Sequence, residues 1–223
     1  MFKFTYNYIE EQYKQVKEMG YKFITCEEYV KKKSILKASD KVVVNRVDVD
    51  LSVKKTKKLL AIFDKLDIKA TFFLRLHAPE YNPFSFENYR IIKYLIESGH
   101  ELGYHSEVID QSIIWNEDAT DCLLRDIKTM NTMFNINVKG IASHGGLTGL
   151  NNLDFWKDKK ASDFGMLYEG YDHQPEYNLF QESFYVSDSE WTRWKCYDKG
   201  VLVKDDRRTV SYTHLTLPTN REV

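Results

Sequence analysis

The sequence has few of the features that are typical of secreted, membrane or nucleic-acid-binding proteins. Its three cysteines include no Cys-x-x-Cys pair, and an odd count argues against a disulfide framework. No apolar stretch approaches the roughly 18 residues of a membrane span, and we expect neither a transmembrane segment nor a signal peptide. The formal net charge is only −1, which gives no electrostatic reason to expect a nucleic-acid partner. We therefore predict a cytoplasmic protein.

The chain of 223 residues alternates β-branched segments with amphipathic ones, which is typical of an α/β protein. Five short strands are expected at about 21–25, 41–47, 69–74, 101–105 and 138–142. Helices are expected at about 8–19 and between the strands, with N-caps at Thr25, Ser52 and Ser85 and with a longer helix from about Asp118 to Phe134. Polar residues follow these strands repeatedly, which favours a distorted (β/α) barrel with a parallel sheet.

The last residues differ in character from the rest. Residues 209–223 include Ser-Tyr-Thr-His-Leu-Thr-Leu-Pro-Thr, which looks like the translation of a sequencing adapter. We expect an artefactual tail here, and a single domain over residues 1–208 that is truncated at its C-terminus.

Two segments place chemically active side chains at the ends of predicted buried strands. The first contains Asp48 and Asp50, which lie two residues apart and therefore point the same way. The second is Gly-His-Glu-Leu-Gly-Tyr-His, which ends at His105. Strand ends of this kind meet at one edge of a parallel sheet and build the active sites of α/β enzymes. Arg46 precedes the first segment and is a candidate either to hold Asp48 as a carboxylate or to pair with another acid.

At these motifs the chain resembles the polysaccharide deacetylase superfamily, also called the NodB-homology or carbohydrate esterase 4 group. The resemblance runs from about Lys41 to Trp194 and is carried by Val-Asp-Val-Asp, Lys-Ala-Thr-Phe-Phe, the Gly-His-Glu segment and Ser-Asp-Ser at 187–189. The Gly-His-Glu segment is the most specific of these. The similarity is greatest to an atypical branch, often encoded near surface-polysaccharide genes.

The resemblance implies a NodB-type barrel and a site with a divalent metal, usually zinc. It implies that Asp48 is the general base and that Asp50 and His105 are metal ligands. The family's second histidine follows the first by four residues, and that position holds Ile109 here. Since isoleucine cannot bind a metal, one ligand is missing from its usual place.

The residues themselves offer substitutes for that ligand. Glu107 lies two positions after His105 and would share its direction in an extended segment. His144 follows the next predicted strand. We rank these two equally, and Asp110 below them. Asp/His/His and Asp/His/Glu sets with an open position are both known types of catalytic zinc site.

Four further residues are candidates for substrate contacts. Arg75 ends a strand and is placed to reach a sugar or acyl oxygen. The resemblance implies that the Tyr104 backbone amide stabilises the oxyanion. It also implies that Asp188 and Trp191 belong to a late motif in which the acid tunes the catalytic groups and the aromatic side chain shapes the acetyl pocket.

The sequence thus predicts a metal-dependent hydrolase that removes an N-acyl group from an amino sugar or surface-polysaccharide precursor, with a carbohydrate as its partner. The family's catalytic acid falls in the replaced stretch, so this truncated form is expected to be weak or inactive. Ile109 supports an alternative, a non-catalytic carbohydrate-binding barrel without the full metal site. A metal-dependent hydrolase of another small amide is the third possibility.

Overall fold

Strands and helices alternate along the chain and form a curled parallel half-barrel. The structure, a computed structural model, describes residues 5–37, 39–171, 177–187 and 195–203, together with the backbone of 214–216. Within that part of the chain, no helix is both long and apolar enough to cross a membrane.

The part of the chain that the structure describes has seven α-helices, which begin at capped or turn-forming residues and are amphipathic where they cover the sheet. Their bounds are α1 Tyr6–Glu18, α2 Cys26–Lys32, α3 Thr56–Leu66, α4 Phe86–Glu97, α5 Val108–Trp115, α6 Ala119–Phe134 and α7 Leu179–Glu182. Thr25 and Ser85 accept backbone N–H bonds as N-caps, as expected, and Asp118 caps α6 in the same way. Two 3₁₀ turns lie at Asn152–Trp156 and Ala161–Phe164.

The strands are short, and the first six are all parallel. Their bounds are β1 Lys22–Ile24, β2 Val42–Val49, β3 Thr71–Leu74, β4 Glu101–Ser106, β5 Gly140–Ser143, β6 Tyr168–Glu169, β7 Phe184–Ser187, β8 Lys195–Asp198, β9 Val201–Leu202 and β10 His214–Thr216. The sheet order is β6-β5-β4-β3-β2-β10-β7-β8-β9, and β1 also pairs with β2. Strands β7, β8 and β9 pair antiparallel. This curled sheet confirms the distorted (β/α) barrel of NodB type.

The core lies between the sheet and its helices. Fully buried residues such as Val43 and Phe72 on the strands meet Phe63 on α3 and Phe134 on α6. The resulting rigid strands carry their polar ends to one mouth of the half-barrel.

Two elements differ from the sequence prediction. Ser52 is not the N-cap of α3, which starts at Thr56 after a turn; the Ser52 hydroxyl instead accepts from the Lys55 amide at 3.4 Å. Helix α5 was not predicted, because its apolar residues Ile113, Ile114 and Trp115 stay exposed instead of forming a buried stripe.

The tail contributes one described strand. The backbone of β10 runs parallel between β2 and β7. The other residues of 209–223 lie outside the described residues, and the artefactual origin of this segment stays a prediction.

Candidate metal centre

Parallel pairing brings the polar ends of β2, β4 and β5 together. Asp48 is in register with Phe73 on β3, Phe73 with Gly103 on β4, and His105 with Ala142 on β5. Gly103 is required here, since a Cβ at that position would lie 2.5 Å from the Phe73 ring. The Phe73 ring in turn supports the guanidinium of Arg46, at 4.9 Å from its centroid.

Three side chains converge at this mouth. His105 Nε2 lies 3.2 Å from Asp50 Oδ1, and His144 Nε2 lies 3.9 Å from the same oxygen. One donor atom from each of the three residues falls within 4.8 Å of the others. The two imidazole rings meet edge to face, with centroids 5.1 Å apart. Among the described residues this is the one cluster of histidine, cysteine and acidic groups with such geometry.

The orientation of His105 is fixed from behind. Its Nδ1 lies 2.8 Å from the Ala142 carbonyl oxygen, which can only accept, so Nδ1 carries the proton. Nε2 therefore faces Asp50, and in the neutral ring this nitrogen carries the lone pair that can bind a metal ion. This arrangement, in which a backbone carbonyl sets the tautomer, is usual for metal-binding histidines.

Asp48 is held beside the cluster by a buried arginine. Arg46 Nε and Nη2 donate to the two oxygens of Asp48 at 2.7 and 2.8 Å. The guanidinium also donates to the Gly170 carbonyl at 3.0 Å and to the Tyr171 hydroxyl at 2.9 Å. Asp48 Oδ2 remains 3.7 Å from His105 Nε2, so the carboxylate lies next to the candidate metal position.

The charges of these groups shift their proton affinities in opposite directions. Burial raises the pKa of Asp50, but contact with His105 outweighs it and holds that pKa well below its usual value. Burial lowers the pKa of His105, but the neighbouring carboxylates Asp48 and Asp50 raise it overall. Burial and the positive charges of His105 and Arg75 lower the pKa of His144, which keeps its imidazole neutral.

Glu107 pairs with an arginine rather than joining the cluster directly. Arg75 Nη2 donates to Glu107 Oε1 at 2.6 Å, and both side chains are about 4% exposed. Arg75 Nη1 also donates to the Asp50 carbonyl oxygen at 3.2 Å. The same Glu107 oxygen lies 3.6 Å from His144 Nδ1. Arg75 is thus committed largely to protein groups.

The remaining candidates have different surroundings. The Tyr104 side chain is fully buried and donates to Asp126, away from the cluster. Asp188 and Trp191 lie outside the described residues. Asp110, ranked below Glu107 and His144 as a ligand, accepts four hydrogen bonds from the loop after β5.

The donor set fits a divalent metal ion. Two ligands bound tetrahedrally to zinc are roughly 3.3 Å apart, close to the shorter of the observed separations. Asp50 Oδ1 and His144 Nδ1 are buried without a well-formed hydrogen bond. Buried polar atoms without partners are costly, and an ion coordinated by Asp50 Oδ1 would satisfy that oxygen. The site thus offers three candidate ligand side chains, one fewer than the four ligands of tetrahedral zinc.

Sequence reasoning did not find two residues that shape this site. Tyr171 touches Arg46 with its hydroxyl and its ring, whose centroid is 4.5 Å from the guanidinium carbon. The Tyr81 hydroxyl donates to the Val49 carbonyl at 2.6 Å and accepts from the Arg75 amide at 3.2 Å, which fixes the end of β2. Neither lies in a motif, and each acts through a contact distant in sequence.

Comparison with known families gives the site its context. The family model for polysaccharide deacetylases matches residues 36–194, which include every member of the cluster. The chain belongs to the polysaccharide deacetylase family. A search of curated proteins finds no significant match. Membership of the polysaccharide deacetylases supports deacetylase activity, and the family is generally metal-dependent.

Two solved structures are similar to this chain, and the first of them shares its fold. The deacetylase PplD of Streptococcus pyogenes, in complex with acetate, is similar with a TM-score of 0.53 and 18% identity, over 73% of this chain and 70% of that one. IcaB from Ammonifex degensii has a TM-score of 0.49 and 19% identity, over 68% and 70% of the two chains.

Proposed function

We propose that this polysaccharide deacetylase is a metal-dependent hydrolase that removes an N-acetyl group from an amino sugar or surface-polysaccharide precursor. The observation that carries the proposal is the convergence of Asp50, His105 and His144 beside an arginine-held carboxylate. We propose zinc as the metal, because two imidazoles and one carboxylate suit zinc. A reducing, cytoplasmic location is consistent with the free buried thiols of Cys26 and Cys122.

In this proposal Asp50, His105 and His144 hold the ion. His144 takes the place of the ligand absent at Ile109, and it is preferred to Glu107 because Arg75 already neutralises that carboxylate. Glu107 then faces Nδ1 of His144 and orients its ring, as carboxylates behind metal-binding histidines do. A bound ion supplies Lewis acidity to the amide carbonyl and to water.

The protein groups carry out the proton transfers. Asp48 accepts a proton from the attacking water and returns it to the amine nitrogen as the C–N bond breaks. The bidentate contact with Arg46 keeps the carboxylate aimed at the site. The Tyr104 backbone amide is the proposed donor to the oxyanion, and Arg75 supports the backbone of Asp50. The Asp188 and Trp191 contacts with the acetyl group remain part of the same proposal.

Metal analysis combined with an acetate-release assay tests this function. The purified full chain is dialysed with zinc, its bound metal is measured, and N-acetylated oligosaccharides are offered as substrates. We expect one equivalent of metal and slow, metal-dependent acetate release, as predicted from the sequence for this form of the chain. If the chain binds metal but releases acetate only from other small amides, its substrate is a small amide and not an amino sugar. Absence of stoichiometric metal would overturn the hydrolase and favour the carbohydrate-binding alternative raised by Ile109.

A further inference from the structure

The loop that carries His144 is tied to the start of α5 by a buried carboxylate. Asp110 is 2% exposed and accepts from the Leu147 amide at 3.0 Å and from the Thr148 amide at 2.8 Å. It also accepts from the Thr148 hydroxyl at 2.8 Å and from Asn152 Nδ2 at 2.7 Å. A carboxylate with this many donors holds them in one arrangement.

Asn152 completes the connection from the other side. It is fully buried, and its Oδ1 accepts from the amides of Ile109 and Asp110 at 2.9 and 3.1 Å. Its Nδ2 also approaches the His144 carbonyl oxygen at 3.2 Å. The His144 amide donates to the Ser106 carbonyl on β4 at 2.9 Å. The backbone of His144 is therefore held on both sides.

Such anchoring matters because the loop is rich in glycine. Gly145, Gly146 and Gly149 lie within it, and Gly149 has a left-handed φ of +87°. A Cβ at Gly146 would lie 1.6 Å from the Leu150 carbonyl oxygen, so the chain turns tightly there. Glycines give the free loop many conformations, and without external bonds His144 would have no fixed place.

We propose that Asp110 and Asn152 are positioning residues that lock the loop after β5 against α5, so that His144 supplies the metal ligand absent at Ile109. This inference rests on the proposed function. It explains how a chain can lose the second histidine on α5 and still present three ligands. The helix that lost the ligand now anchors the loop that provides it.

Zinc affinity measured by competition with a chromophoric chelator tests the anchor. Asp110→Asn replaces one acceptor oxygen by a donor and is expected to weaken zinc binding about 10–100-fold, as loss of supporting bonds behind ligands usually does. Thr148→Val removes one hydrogen bond and should weaken it a few-fold by the same principle. The matched control is Asp118→Asn, which removes the charge of an exposed N-cap outside the loop but keeps its accepting oxygen, and it should bind zinc like the parent.

Cobalt absorption and imidazole NMR separate positioning from general stability. Thr148→Val should change the visible spectrum of the Co²⁺-loaded protein, because the number or geometry of ligands changes. If the parent binds no metal, the proposed function fails. The anchor is then tested by comparing the imidazole resonances of the metal-free parent with those of metal-free Thr148→Val. Parent-like His144 resonances in Thr148→Val, or unchanged zinc affinity in folded Asp110→Asn and Thr148→Val, would overturn the inference. If Asp110→Asn does not fold, Thr148→Val decides.

Discussion

His100 and His105 lie on the same stretch of chain, one just before β4 and one near its end, and both are almost fully buried. His100 packs against the rings of Phe63 and Phe72, at 5.9 and 5.4 Å, and its Nδ1 accepts from the Ala70 amide at 3.2 Å. His105 faces the carboxylates Asp48 and Asp50. Burial, with a smaller effect of Lys69, lowers the pKa of His100 to about 4, whereas the pKa of His105 is raised.

The difference shows that burial alone does not give an imidazole its role. Desolvation disfavours the charged form of both rings, and only neighbouring carboxylates can reverse that effect. At His100 the effect of Asp64 is smaller than those of burial and Lys69, and this ring is a neutral part of the core. The His105 ring stands where a cation is favoured, which is also where a metal ion would bind.

Of the changes considered, removal of His105 should have the largest effect on zinc affinity and on acetate release. His105→Ala deletes a proposed ligand, and we expect zinc affinity to fall by more than the roughly 100-fold seen for supporting residues. Acetate release should disappear with it. Equilibrium dialysis followed by metal analysis is the measurement.

The matched control is His100→Asn, which alters the other ring of the pair. It should bind zinc like the parent, since His100 lies among aromatic rings at the opposite end of β4. Equal metal loss in both variants would show that the contrast between the two histidines is not functional.

Asp48→Asn should reduce the rate of deacetylation without removing the metal. General base catalysis contributes typically about 10²–10⁴-fold, so kcat should fall within that range. Zinc binding should persist, because Asp48 pairs with Arg46 and not with the cluster's shared oxygen. Asp50→Asn is the control from the same strand, and it should lose metal. If Asp48→Asn lost the metal and Asp50→Asn kept it, Asp48 would be the metal ligand and Asp50 the general base.

His100 should make the stability of the fold depend on pH. Its folded pKa of about 4 lies below the unfolded value near 6.5, so the unfolded chain binds the proton first as the pH falls. The stabilisation is complete above pH 6.5 and is lost as the pH falls from 6.5 to 4. The difference between the two pKa values corresponds to a loss of at most about 3 kcal/mol in the free energy of unfolding. Urea unfolding across this range measures it.

His100→Asn isolates this contribution from other titrating groups. Asparagine can still accept from the Ala70 amide but does not titrate in this range. The difference in unfolding free energy between parent and variant should therefore shrink as the pH falls from 7 to 4. A difference that stays constant with pH would contradict the assignment of a neutral, buried His100.

Much of the fold was predictable because its signals are local. The caps Thr25 and Ser85 and the spacing of apolar residues can be recognised within a few positions, and the structure confirms them. Helix α5 was not predicted, because Ile113 and Ile114 face solvent and the helix has no buried apolar stripe with helical spacing. Its existence depends on anchoring of its first turn by Asn152, which lies more than forty residues away.

The site was predictable only in part for the same reason. Strand ends predicted that Asp48, Asp50 and His105 would meet, and the contact between Arg46 and Asp48 lies within one strand. The choice between Glu107 and His144 could not be made from sequence. It depends on Arg75, which is 32 residues from Glu107 and neutralises it.

Glu107→Gln should have a smaller effect than loss of any proposed ligand, and it extends the comparison to a third imidazole, His144. Glutamine keeps the shape of the side chain but removes the charge that faces His144 Nδ1 at 3.6 Å. Zinc affinity should fall by about 10–100-fold, the usual cost of losing a carboxylate behind a metal-binding histidine. His144→Ala should weaken binding further, because it removes the ligand itself.

Thermal unfolding of both metal-free variants is needed as a control, since Arg75 loses its charged partner in Glu107→Gln. If Glu107→Gln released the metal while His144→Ala retained it, the third ligand would be Glu107, and the loop after β5 would have no role in holding the ion.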